Sequence, residues 1–396
     1  MMRIVMPDRP YRTIIGLMSG TSLDGIDAAV VRVQGSGTGT EVELLAFHGI
    51  EYDAELRDRM KRLCGKEYSH AADLCMMNAY LGQRFAEAAR EAAAAAGIPM
   101  EDIDLVSSHG QTIWHQPEAD SEDRYSVAST LQIGDLSVIA KLTGRPVVGD
   151  YRTADMAVGG QGAPLTPYAD YIFHRHERMG RIAQNIGGIG NCTVVPAGAD
   201  AEQVLAFDTG PGNMLIDQAV YRLSEGAQAY DHDGGWAAQG QVSEAWLSEL
   251  LEHPYYAQKP RKTTGREMFG EAYAMALIQD GLARGLPAAD IVVTFTMLTV
   301  RTIASAYRDF IFPEHDIHEV IVSGGGARNE TMMRWLAAEL PEQRIQRSDE
   351  IGLPADAKEA IAFAVLANEF VHGIANQLPS VTGASRPTVM GKLALP

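Results

Sequence analysis

An aspartate that closes an apolar run and is followed at once by a glycine turn and an amphipathic segment is placed to do acid–base chemistry beside a bound anion. Asp208 stands so, in VLAFDTGPGNMLID, with Gly210, Gly212 and Asn213 making the turn. A carboxylate in that position can take a proton from water or a hydroxyl, or can cap the helix that follows. Two further clusters share the setting. Gly20, Thr21, Ser22, Leu23, Asp24, Gly25, Ile26 and Asp27 form a hydroxyl-rich turn between two apolar runs, and Gly324, Gly325 and Gly326 lie between the strand-like HEVIVS and the helical ETMMRWLAAEL. Backbone N–H groups at such turns, with helix N-termini behind two of them, favour a polyphosphate without a lysine-rich pocket. A tight turn explains any single cluster equally well; three at equivalent places point to a ligand.

Other chemistries are excluded. The chain has no G-x-x-x-x-G-K-[ST], no G-x-G-x-x-G after its first strand, no G-x-S-x-G and no H-E-x-x-H, and its 11 histidines lack metal-ligand spacing. Cys64, Cys75 and Cys192 are an odd number at wide spacing, which rules out a disulfide framework and suits a reducing cytoplasm. A net charge of −18 argues against nucleic-acid or anionic-membrane partners. The opening MMRIVMPDRPYR has no signal-peptide core, and the apolar run 291–300 is far shorter than the ~20 residues that cross a bilayer.

The elements that must carry these turns read as α/β. Strands over 12–18, 25–33 and 41–50 open a meander, with QGSGTGT as a flexible loop before the third; an Ala-rich helix follows over 71–96, then a strand, a helix from Asp135 and a strand at 147–150. Residues 151–167, rich in glycine and proline, suit a crossing between units. The second half repeats the order of strand, glycine turn, strand, strand and helix, then an isolated strand and helix. With 396 residues, two α/β lobes follow: 1–150 plus 376–396, and 151–375, with a cleft between them.

The segment Gly16-Leu17-Met18-Ser19-Gly20-Thr21-Ser22-Leu23-Asp24-Gly25-Ile26-Asp27 resembles the opening signature of the anhydro-N-acetylmuramic acid kinases, within the actin/hexokinase-like (ribonuclease H-like) ATPase superfamily. Ser108-His109-Gly110-Gln111-Thr112, Asp150-Tyr151-Arg152, Gly159-Gly160-Gln161-Gly162-Ala163-Pro164, Asn185-Ile186-Gly187-Gly188, Thr264-Gly265-Arg266-Glu267 and Val381-Thr382-Gly383-Ala384 continue the match in family order. The resemblance implies a two-lobed fold that closes on ATP and Mg2+, and hydrolytic opening of 1,6-anhydro-N-acetylmuramic acid with phosphorylation of O6, in cell-wall recycling. It implies Asp208 as general base, the turns at 20–27, 210–213 and 324–326 as the ATP site, and His109, Gln111, Arg152, Asp155 and Glu359 around the sugar. A homodimer is also implied. Asp24 is the candidate magnesium ligand, through water, with turn stabilisation as its alternative; Met18 stands where the wider superfamily commonly has an acid. A surface salt bridge would equally explain Arg152 and Asp155, and a helix-dipole role Glu359. The competing functions are a kinase for another anhydrosugar such as levoglucosan, and a non-kinase actin- or chaperone-like ATPase.

Overall fold

The computed structural model describes residues 10–65 and 69–396; residues 1–9, most of the stretch read for a signal peptide, lie outside it. The chain divides into two compact units, Met1–Ile172 with Asp356–Pro396, and Phe173–Ala355.

In the first unit, β1 (Tyr11–Ser19), β2 (Gly25–Gln34) and β3 (Glu41–Glu51) form an antiparallel meander. β4 (Leu105–Gln116) lies parallel to β1, with β5 (Ser129–Ile133) on its far end and β6 (Val147–Gly149) parallel beside it. In the second, β7 (Gly180–Ile186), β8 (Ile189–Val195) and β9 (Leu205–Pro211) form another meander; β10 (Ile317–Ser323) runs parallel to β7, and β11 (Arg344–Arg347) parallel to β10. The spatial orders β3-β2-β1-β4-β6 and β9-β8-β7-β10-β11 are the same, so the repeated layout expected from the sequence is a repeated topology. β12 (Lys392–Ala394) returns to pair antiparallel with β6.

The central strands are apolar on both faces because helices cover them. β1 is buried from Thr13 to Ser19. The helix Ala71–Ala95 presents Met77, Leu81, Phe85, Ala88, Ala89 and Ala92, an i, i+4 stripe, to the core of the first sheet. Asp135 starts the helix Leu136–Thr143 by accepting the Ser137 and Val138 N–H groups at 2.9 and 3.0 Å, and Gly144, at φ 67°, ends it.

Both lobe boundaries differ from the sequence expectation: the first falls after Ile172 rather than at 150, the second before Asp356 rather than at 375. The second shift comes from the helix Lys358–His372, which is buried along most of its length and packs on β1, β2 and β4. The stretch 151–167, where only a crossing was expected, holds the short helix Arg152–Ala157 and the start of the helix Thr166–His174. The loop before β3, expected to be flexible, is pinned: the buried Glu369 carboxylate accepts the Gly37 N–H and the Thr40 hydroxyl, both at 2.7 Å.

The apolar run 291–300 lies inside the 23-residue helix Ala288–Phe310, which has the length and apolarity of a membrane span. Its Ile291, Phe295, Leu298 and Ile303 are fully buried in the core of the second unit, which accounts for that composition.

Candidate active site

β9 is the edge strand of its sheet, and the segment 262–264 covers the edge beside Asp208. The Asp208 N–H donates to the Lys262 carbonyl at 3.0 Å, and the Thr264 N–H donates to Asp208 Oδ2 at 2.8 Å. Oδ1 has no hydrogen-bond partner among the described residues. Burial raises the carboxyl pKa to about 6; the Thr264 N–H and the Lys262 ammonium pull it down, and the neighbouring Glu267 pushes it up. Lys262 is itself buried: its Nζ donates to the Tyr255 and Tyr256 carbonyls at 3.2 and 2.9 Å and sits 4.8 Å from the Tyr255 ring centre, and burial lowers its pKa to about 8. Asp208 is therefore oriented through one oxygen, open at the other, and poised to gain or lose a proton close to neutrality. Its side chain makes no capping bond to the helix Met214–Leu223, whose N-cap is Asn213.

An acid with a raised pKa is a base only above that pKa. With Asp208 as the base, kcat/KM should fall tenfold per pH unit below about pH 6 and level off above it, since the pH profile of that ratio follows the free protein.

The glycine turn after Asp208 differs from expectation. The Gly212, Asn213 and Met214 N–H groups donate to the Gly188, Gly187 and Gly188 carbonyls at 2.9, 2.7 and 3.2 Å, so these three amides are spent on the β7–β8 turn rather than offered to an anion. The three glycines of the third cluster also separate. A Cβ on Gly324 would lie 2.6 Å from Asn185 Oδ1, and one on Gly326 2.4 Å from Ile186 Cγ2, so both are required by packing. At Gly325 a Cβ would meet only Asn213 Nδ2, at 3.4 Å, and the residue borders a cavity of about 590 Å3. Asn213, Asp217, Tyr230, His232 and Arg328 line the same cavity, which lies wholly within the second unit. The segment 229–233 gave no signal in the sequence because a short polar stretch reads as a loop. Asp217 had one: it lies four residues beyond Asn213, on the same face of the helix.

In the first unit the turn between β1 and β2 exposes Thr21, Ser22, Asp24 and Asp27, while Leu23 and Ile26 are buried in the core and can present only backbone. Ser22 Oγ donates to Asp24 Oδ1 at 2.8 Å, the turn-stabilising contact. Asp27, on β2, meets solvent on one side only; the protein crowding its other side, then Asp24, Glu359 and Asp356, raises its pKa to about 6. Gln111 lies beneath this turn, fully buried: its Oε1 accepts the Ser19 hydroxyl at 2.7 Å and its Nε2 donates to the Gly20 carbonyl at 3.0 Å. Expected at the sugar, Gln111 instead shapes the hairpin.

Arg152 and His109 interlock. Arg152 Nε and Nη2 donate to His109 Nε2 at 3.1 and 3.0 Å, Nη1 donates to the Gly162 carbonyl at 2.7 Å, and His109 Nδ1 donates to the Gly110 carbonyl at 2.8 Å. Burial and the guanidinium hold the His109 pKa near 3, so the imidazole is neutral and its Nε2 is the acceptor. Burial lowers the Arg152 pKa to about 10, which leaves the cation intact with further N–H donors to offer a carboxylate.

Asp155 does not meet the sequence expectation of a sugar contact or a surface ion pair. It is fully buried; Oδ2 accepts the Gly162 N–H at 2.8 Å, and Oδ1 accepts the Thr382 hydroxyl and Gln377 Nε2 at 2.7 and 2.8 Å. The carboxylate is the post around which the 159–162 loop turns, and a Cβ on Gly160 would lie 2.1 Å from Oδ2. Glu359, on the first turn of its helix, keeps part of its surface open to solvent although protein crowds the rest, and that desolvation raises its pKa, opposed by Lys358 and Arg152.

A family model described as anhydro-N-acetylmuramic acid kinase matches residues 12–395. The chain belongs to this family. A curated relative of that name from Caldanaerobacter subterraneus subsp. tengcongensis is 46% identical over 98% of this chain and 98% of its own length. Another of the same name, from Bacillus cereus, is 43% identical over 97% and 99%. Among solved structures, component A of the (R)-2-hydroxyglutaryl-CoA dehydratase from Acidaminococcus fermentans is similar at 13% identity and a TM-score of 0.44, covering 91% of this chain and 99% of that one.

Proposed function

We propose that this kinase opens the 1,6-anhydro bridge of 1,6-anhydro-N-acetylmuramic acid with water and transfers the γ-phosphoryl group of ATP to O6, giving N-acetylmuramic acid 6-phosphate. The observation that carries the reading is Asp208, fixed by the Thr264 N–H at one oxygen, open at the other and raised to about 6, in a chain of this family. Asp208 takes a proton from water as the water oxygen bonds to C1. The C1–O6 bond breaks, its electron pair goes to O6, and O6 attacks the γ-phosphorus as ADP leaves. One base thus starts both events, because O6 becomes a strong nucleophile only when the bridge opens.

Arg152, oriented by neutral His109, is the group for the lactyl carboxylate, and Glu359 accepts sugar hydroxyls. The exposed Thr21 and Ser22 hydroxyls and the backbone of their turn hold phosphate oxygens, and the cavity beside Gly325 holds the nucleoside. Mg2+ is ordinarily held by phosphates, waters and one or two carboxylates rather than by a protein cage. The described residues hold no group of three or more His, Cys, Asp or Glu side chains placed for a metal, whereas Asp24 beside Asp27 matches the looser mode. The ion would neutralise phosphate charge. The three free thiols suit a cytoplasmic location, and the family resemblance favours a homodimer, which sedimentation equilibrium reads directly.

Mass spectrometry of the products formed from ATP and a panel of anhydrosugars tests the reading. The muramic acid 6-phosphate should form only with its anhydro precursor. Turnover confined to levoglucosan, or ADP release that needs no sugar, would overturn it.

Gly325→Leu tests the nucleoside position. The Cβ fits and the residue is outside the left-handed region, so the fold should hold, but the longer side chain enters the cavity. The expected result is a rise in the KM for ATP of about tenfold or more with an unchanged melting temperature; an unchanged KM would remove the nucleoside from this cavity.

A further inference from the structure

The cavity beside Gly325 is lined by an aromatic pair, a bare stretch of backbone and one acid without a partner. The Tyr230 and His232 rings stack with centroids 6.0 Å apart and planes 24° from parallel, an aromatic wall suited to a flat base. Gly325 bares its backbone beside Asn213 on the same lining. Of the acids on the lining, Asp231 is spent on the Trp236 and Ala237 N–H groups at 2.7 and 3.1 Å, and Asp233 pairs with His232 at 3.0 Å. Asp217 has no hydrogen-bond or ion-pair partner among the described residues, and burial, with Asp231 close by, raises its carboxyl pKa to about 7. A half-buried carboxylate left without a donor is costly unless a ligand supplies one.

The donor can be identified by its chemistry. Asp217 lies one helical turn, about 6 Å along the axis, beyond Asn213. A carboxylate only accepts, so it repels phosphate oxygens, and the base belongs against the aromatic wall. What lies between a phosphate chain and a base is the sugar with its vicinal hydroxyls, and two hydroxyl donors match the two oxygens of a carboxylate.

We propose that Asp217 accepts the 2′- and 3′-hydroxyls of the nucleotide's ribose and so makes this kinase selective for ribonucleotides over deoxyribonucleotides. The proposal rests on the reading of this cavity as the nucleoside site. It explains why an acid with no partner of its own stands on an otherwise satisfied wall, and it gives Asp217 a role separate from the chemistry at Asp208.

Calorimetric titration of the full chain with ADP, 2′-deoxyADP and 3′-deoxyADP tests it. The parent protein should bind each deoxynucleotide about 10- to 100-fold more weakly than ADP, the effect of leaving a charged acceptor unpaired. Asp217→Ala should bind all three alike, near the parent's affinity for the deoxy forms, and Asp217→Asn, which keeps the shape, should show reduced discrimination. Equal affinities in the parent, or a ratio that survives in Asp217→Ala, would overturn the proposal. Gly325→Leu separates the two levels. If it leaves ADP affinity unchanged, the cavity is not the nucleotide's. If it weakens ADP while the deoxy ratio persists in Asp217→Ala, the nucleotide site stands and the role of Asp217 falls. Thermal melts of both Asp217 variants keep misfolding apart from lost recognition.

Discussion

Asp208→Asn is expected to abolish bridge opening and phosphorylation together, while ATP and sugar still bind. The amide keeps the shape of the carboxylate, and its oxygen can still accept the Thr264 N–H that fixes Oδ2 at 2.8 Å, so the strand edge should remain in place. What disappears is proton affinity. Loss of a general base alone typically costs about 10²–10⁴-fold. The expected loss is at the upper end of that range or beyond it, because without water attack at C1 the bridge oxygen never becomes a nucleophile toward phosphorus. The measurement is a paired product assay: free N-acetylmuramic acid and its 6-phosphate, from one reaction. Accumulation of hydrolysed, unphosphorylated sugar would uncouple the two events and show that Asp208 serves only one. Turnover near the parent's would remove it from the chemistry.

The second large effect is on folding, at a glycine far from any proton transfer. Gly16 lies in the middle of β1, and a Cβ there would stand 1.9 Å from the Ala360 carbonyl oxygen and 3.1 Å from the Ala364 nitrogen, on the helix Lys358–His372. Those are backbone atoms of a buried helix, so no side-chain rotation relieves the clash; strand and helix must move apart. Overpacking a core typically costs 1–3 kcal/mol, and Gly16→Val should reach about 3 kcal/mol or more. Since β1 leads straight into the 20–24 turn, the phosphate binding proposed for that turn should weaken with it. Gly39→Ala is the control: a Cβ there meets nothing within 4 Å, and its stability should stay within about 0.5 kcal/mol of the parent. Denaturant midpoints for the two variants decide the matter.

Local patterning made much of this molecule legible from its sequence. The meander strands alternate or run apolar, their turns carry glycine, the helix at 136 starts at a capping Asp135 and stops at Gly144, and the helix at 71 stops just before Gly97, so these elements declare themselves. Asp208 stands out in the sequence as an acid in an apolar run ahead of glycines, although the strand carries on through it to Pro211. Tertiary partners were not legible. KEAIAFAVLANEF is apolar nearly all round, which says that the helix is buried but not in which unit, and the lobe boundary was misplaced accordingly. Asp155 and Gln111 are polar residues in the right motifs whose hydrogen-bonding capacity is consumed inside the protein, by Gly162, Gln377 and Thr382 in one case and by Ser19 and Gly20 in the other. No spacing rule distinguishes a carboxylate that meets a ligand from one that holds a loop. The amides of 212–214 went the same way, spent on carbonyls twenty-odd residues upstream that a glycine motif cannot reveal.

The placement of the helix Lys358–His372 on β1, β2 and β4 also sets an order of events on the ribosome. Its strands are made first, but the helix that covers one face of them emerges only after the whole of Phe173–Ala355, a delay on the order of ten to forty seconds at 5–20 residues per second. During that interval the second unit has its full sequence and can fold, while the first sheet waits with Gly16 and its apolar neighbours uncovered. The unit that begins the chain is the last to be completed, and a nascent chain stalled before residue 358 is where a chaperone would find the most to hold.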